Sequence, residues 1–73
     1  MNSIESFAKD VTKEASQNQW VNIRTEIAGK IVGIKAYGKW VQRIEVNSAP
    51  YQSGEFKTQK AMREFIVNAI NNA

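Results

Sequence analysis

The sequence predicts an α+β fold: an antiparallel meander of three to four strands packed on a C-terminal helix, with an N-terminal amphipathic helix ahead of them. Three observations predict it. Apolar residues recur at every second position from residue 18 onward, then at helical spacing after residue 58. The breaks between these runs carry glycine, asparagine or proline, the residues of tight turns. At 73 residues the chain is a single domain, 1–73, near the size at which one hydrophobic core is just sufficient.

The first element is a helix within residues 1–17, spanning 3–16. Ile4, Phe7, Ala8, Val11 and Ala15 form one thin apolar stripe. Asn2 and Glu5 fit a capping box, and Glu5 and Lys9 form a favourable i, i+4 pair. So thin a stripe leaves two alternatives: the helix covers one edge of the core, or it hangs free and orders against a partner.

Residues 18–56 make the sheet. Val21, Ile23 and Ile27 alternate with Asn22, Arg24 and Glu26 in a first strand, which Ala28 and Gly29 turn. Val32, Ile34 and Ala36 alternate with Gly33, Lys35 and Tyr37 in a second, ended by Tyr37 and Gly38. Strict alternation in the third strand sends Trp40, Gln42, Ile44 and Val46 to the core. Lys39, Val41, Arg43 and Glu45 then fall on the opposite face. Asn47–Pro50 reads as a loop, and Tyr51–Ser53 as a short fourth strand ending at Gly54.

The last element is a helix over 58–72. Thr58 is its N-cap, and Met62, Phe65, Ile66, Ala69 and Ile70 fall at i, i+3, i+4, i+7 and i+8, a stripe that must lie on the sheet. Asn71 and Asn72 offer its stop.

Composition excludes more than it selects. The chain has no cysteine and no histidine, so it lacks the thiol nucleophile, the commonest general base and the commonest metal ligand. Its four glycines form no phosphate-binding loop, and no two carboxylates fall together in an apolar setting. The expectation is a non-enzymatic protein with no cofactor, metal or small-molecule substrate. No segment reads as a signal peptide or a membrane span, so a cytoplasmic protein is expected. Ten Lys and Arg against seven Asp and Glu give a net charge of +3, which tolerates anionic partners without specifying them.

Residues 33–70 resemble the AP2-type module, a three-stranded sheet on one helix found in plant transcription factors and integrase arm-binding domains. The matching residues are Gly38, Lys39, Trp40 and Val41, then Ile44 and Val46, then Gly54, Phe56, Thr58 and Ala61. The resemblance implies a sheet face that enters the DNA major groove, with Lys35 and Arg43 as readers and Lys39 on phosphate. The chain departs from that pattern at Glu45 and Pro50, where basic residues belong, and at Gln52, which replaces a tryptophan. The first strand and the N-terminal helix are additions to it.

In size and character the chain is also similar to the small RNA-polymerase inhibitors made by bacteriophages, those of Xanthomonas phages among them. That likeness implies a protein that binds host RNA polymerase and inhibits transcription by steric contact. The expected partner-binding residues are Trp20, Arg24, Lys35, Tyr37, Lys39, Val41 and Arg43 on the exposed face of the sheet. Tyr, Trp and Arg are the types that dominate binding energy at protein interfaces. DNA, read by the same face, is the alternative partner.

Overall fold

The computed structural model describes residues 3–51 and 54–72. Helix α1 (Ser3–Ala15) leads into strands β1 (Val21–Ile27), β2 (Lys30–Tyr37), β3 (Trp40–Val46), β4 (Ala49–Tyr51) and β5 (Gly54–Glu55). Helix α2 (Gln59–Asn71) closes the chain. The expected α+β meander is present. Among the described residues the strands run in the order β1-β2-β3-β4, each neighbour antiparallel, with β5 also pairing β3.

Turn chemistry sets the meander. Ala28 (φ 52°) and Gly29 (φ 77°) are both left-handed, as are Asn47 (φ 54°) and Ser48 (φ 69°). Two left-handed residues twist a two-residue turn in the sense of the flanking strands. The Asn47 amide donates to the Ile31 carbonyl at 2.8 Å, and its Oδ1 accepts from the Ile31 amide at 3.0 Å. The middle turn is made by Gly38 (φ 62°) and Lys39, one residue later than the sequence suggests, because Tyr37 pairs with Trp40. Ala49–Tyr51 is strand from its first residue, so the expected loop over 47–50 shrinks to the turn Asn47–Ser48. The expected fourth strand lies earlier than predicted, and its Gln52 and Ser53 lie outside the described residues, as does the expected capping residue Asn2.

Both helices lie on one face of the sheet. Helix α1 is docked there, which decides between the two alternatives its thin stripe left. Ile4, Ala8, Val11 and Ala15 are buried, and the Thr12 hydroxyl, buried beside them, donates to the Lys9 carbonyl at 3.0 Å. Small residues at positions 8 and 15 let the helix backbone come close, which offsets its shortage of large anchors. Helix α2 is capped as expected: Thr58 Oγ1 accepts from the Ala61 amide at 3.0 Å. It buries Met62, Ile66, Ala69 and Ile70, while Phe65 is half-buried against Phe56, ring centroids 5.1 Å apart.

The sheet contributes Val21, Ile27, Val32, Ile34, Ala36, Val41, Ile44 and Val46 to this core. Burying each large apolar side chain stabilises the fold by roughly 1.5–3 kcal/mol. Strand β3 departs here from simple alternation. Lys35 pairs with Arg43, but Ala36 pairs with Val41, so Gln42 is an extra residue with no partner on β2. One extra residue reverses the side-chain phase on one side of it. Val41 therefore points into the core and is fully buried, while Trp40 is only half-buried and lies on the open face. Gln42 itself is exposed. All three assignments reverse those from strict alternation. Ile44 and Val46, beyond the extra residue, are core as expected.

Candidate functional site

Among the described residues no element covers the second face of the sheet, and its side chains form ordered rows across the strands. The first row is aromatic. Tyr37 pairs with Trp40 across β2 and β3, and Trp20, just before β1, completes the row. The Trp20 ring lies 5.1 Å from Tyr37, tilted by 43°, and 5.6 Å from Trp40, nearly edge-on at 63°. Trp20 nevertheless stays 50% exposed. Tilted and edge-on contacts suit the negative face and positive rim of aromatic rings.

The second row is cationic. Asn22, Lys35 and Arg43 are successive partners across β1, β2 and β3. Two cations directly opposite each other are unfavourable, and here they part. Lys35 Nζ sits 5.2 Å above the Trp20 ring, a cation–π contact. Arg43 turns the other way and donates to Glu45 Oε2 at 2.7 Å, the pair lying along one strand with the arginine side chain 66% exposed. So exposed a pair adds little to stability. Its effect is to aim the guanidinium.

The third row is Arg24, Gly33 and Glu45. Gly33 puts bare backbone at the centre of the face and opens a shallow hollow of about 290 Å³, bordered by Asn22, Arg24, Lys35, Arg43 and Glu45. The fold does not require glycine there. A Cβ at Gly33 would meet Glu45 Oε1 at 3.9 Å and Arg24 Cγ at 4.0 Å, both ordinary contacts.

The turn that carries the aromatic row is held from behind. The Gly38 amide donates to the Ala15 carbonyl at 3.0 Å, at the end of α1, and the Gly38 carbonyl accepts from Gln59 Nε2 at 3.2 Å, at the start of α2. Both helices thus fix the end of the sheet where Tyr37 and Trp40 meet. Lys39 lies in this turn, exposed at the edge of the aromatic row rather than on the strand face.

Five of the seven residues expected to bind a partner therefore fall together at one end and the centre of the open face, Trp20, Arg24, Lys35, Tyr37 and Arg43, with Lys39 beside them in the turn. Val41 does not, because the extra Gln42 turns it into the core. Trp40 takes its place, and Asn22, Gly33, Glu45, Glu26 and the exposed Ile31 share the same face. The spacing Val41–Ile44–Val46, with two polar residues inside its first interval, is the sequence signal that identifies the extra residue.

A larger hollow, of about 590 Å³, lies elsewhere, between the helices, bordered by Glu5, Lys9, Arg63 and Glu64 with Val67 and Asn68. Its two acids and two bases balance, and no nucleophile stands in it. Among the described residues no group of three carboxylates could hold a metal ion, and no helix is long and apolar enough to cross a membrane. No family model matches the chain, and no similar curated protein or solved structure is found.

Proposed function

We propose that this chain is a non-enzymatic binding protein that docks the open face of its sheet on an acidic surface of another protein. The observation that supports it is the pairing of Trp20, Tyr37 and Trp40 with Lys35 and Arg43 on a face that neither helix covers. Exposed aromatic rings next to cations are the composition of interface hot spots. Lys35, with only an aromatic ring beneath it, and Arg43, with a 66% exposed side chain, present cations outward on this face, and this is why the surface prefers an acidic partner.

The partner we assign is bacterial RNA polymerase, inhibited by steric occlusion. This assignment draws on the likeness in size and character to small phage-encoded inhibitors. The site adds only the kind of surface it would meet.

A second reading, DNA bound in the manner of the arm-binding module, is favoured by one observation: Arg24, Lys35, Lys39 and Arg43 outnumber Glu26 and Glu45 on this side of the molecule. Against it, Glu45 stands at the centre and already engages Arg43. A carboxylate facing the phosphate backbone opposes binding.

The deciding experiment is capture of partners from bacterial lysate on the immobilised chain, with and without nuclease, followed by mass spectrometry. Retention of RNA polymerase subunits after nuclease, lost with Arg43→Glu, supports the proposal. Retention that vanishes with nuclease overturns it in favour of DNA.

A further inference from the structure

Among the described residues strand β1 is an edge of the sheet with no strand beside it, and its backbone has a definite pattern of open groups. Ala28 and Gly29 form a two-residue turn, so its closing pair, Ile27 with Lys30, exchanges both backbone hydrogen bonds. Bonded and non-bonded pairs alternate from there: Thr25 with Val32, Ile23 with Ile34 and Val21 with Ala36 are bonded. The N–H and C=O groups of Asn22, Arg24 and Glu26 therefore point away from β2. Among the described residues they meet no backbone partner.

The two edges of the sheet differ. The far edge is built from the short strands β4 and β5 and carries Pro50, which has no N–H to offer. Strand β1 is seven residues long, pairs with β2 in regular register throughout, and contains neither proline nor glycine. Long, regular edges invite pairing.

The side chains of this edge say what can pair with it. The sequence Ile23-Arg24-Thr25-Glu26-Ile27 is complementary to itself when reversed. In an antiparallel pair of two β1 strands centred on Thr25, Arg24 of each copy stands directly opposite Glu26 of the other. These are also the residues whose backbone groups point outward, so hydrogen bonds and charges fall in step. On the helix-bearing face, Thr25 meets Thr25 at the twofold axis and Ile23 meets Ile27. Opposite-charge, Thr–Thr and β-branched pairs are all favourable across strands. Centring on Arg24 instead would set Arg24 against Arg24, so charge selects the register.

We propose that a second copy of this chain pairs with β1 through Arg24 and Glu26, forming a twofold dimer with one continuous sheet. The axis stands perpendicular to the sheet, so the two open faces lie side by side on one surface. The inference is independent of what that surface binds.

The test is sedimentation equilibrium of the full chain over a range of concentrations, with far-UV circular dichroism to follow folding. The parent is expected to be a monomer–dimer system. Arg24→Glu and Glu26→Lys each place like charges opposite one another twice, and each should weaken self-association by about tenfold or more. Mixed together, the two variants should restore it, because the carboxylate introduced at position 24 of one then faces the ammonium introduced at position 26 of the other. The double variant R24E/E26K should also dimerise like the parent, and it carries the test if either single variant fails to fold. A parent that stays monomeric, single variants that dimerise undiminished, or a mixture and double variant that stay monomeric would each overturn the proposal.

Discussion

Trp40 stands edge-on to Trp20 at 5.6 Å, on the open face of the sheet, although strict alternation would bury it on the helix side. The contact exists because Gln42 is an extra residue in β3, and it brings Trp40 and its turn neighbour Tyr37 together with the sequence-distant Trp20 in one surface. Trp20 meets Tyr37, Trp40 and Lys35 on the open face and stays 50% exposed. Trp20→Ala should lower unfolding free energy by only ~1–3 kcal/mol, from two ring contacts of ~0.5–1.5 kcal/mol each. It should cost at least ~2 kcal/mol in partner affinity, as a hot-spot residue does. Urea unfolding beside a binding titration separates the two effects. A stability loss that exceeds the affinity loss would make Trp20 structural.

Gly33 sits in mid-strand with room for a methyl group. Glycine there gives up roughly 0.5–1 kcal/mol of stability relative to alanine through backbone entropy. Gly33→Ala should raise the thermal midpoint slightly and weaken partner binding by filling the hollow. A variant that is both more stable and fully competent to bind would show that the hollow has no role.

The extra residue in β3 can be tested by charge. Val41→Lys places an unpaired ammonium in the core and should unfold the chain. Gln42→Lys, one position on, should leave the circular dichroism spectrum and thermal midpoint nearly unchanged, since Gln42 is exposed. Simple alternation demands the reverse outcome for the two variants.

Ala28 holds a left-handed conformation (φ 52°) that its Cβ resists. Asparagine followed by glycine is the preferred pair for such a turn, and Gly29 is already in place. Ala28→Asn should stabilise the protein by about 0.5–1 kcal/mol, read as a rise in thermal midpoint of a few degrees. An unchanged or lower midpoint would show that strain at Ala28 is already relieved by its surroundings.

The elements with strong local signals were legible in the sequence. Helix α2 follows from Thr58 and the stripe through Met62, Ile66 and Ile70, because a side chain's place on a helix depends only on its spacing. Turns at Ala28–Gly29 and near Gly38 follow from residue type. The phase of β3 needed more, since a strand's two faces are distinguished by counting, and one unpaired residue changes the count. The docking of α1 also needed more. A stripe in which Ala8 and Ala15 alternate with Ile4 and Val11 gives little hydrophobic signal, yet its small residues are what close approach to a sheet requires.

Residue types and their spacing were enough to establish the class of the fold, the lack of thiol and imidazole groups, and the mixture of aromatic and cationic residues available for a surface. Which of those residues stand together was left to the folded sheet. Trp20 and Trp40 meet across an intervening strand, Lys35 and Arg43 part toward different partners, and Val41 leaves the surface altogether. Composition and spacing act within a few residues of each other, whereas contacts across a sheet depend on register, which the whole core sets at once.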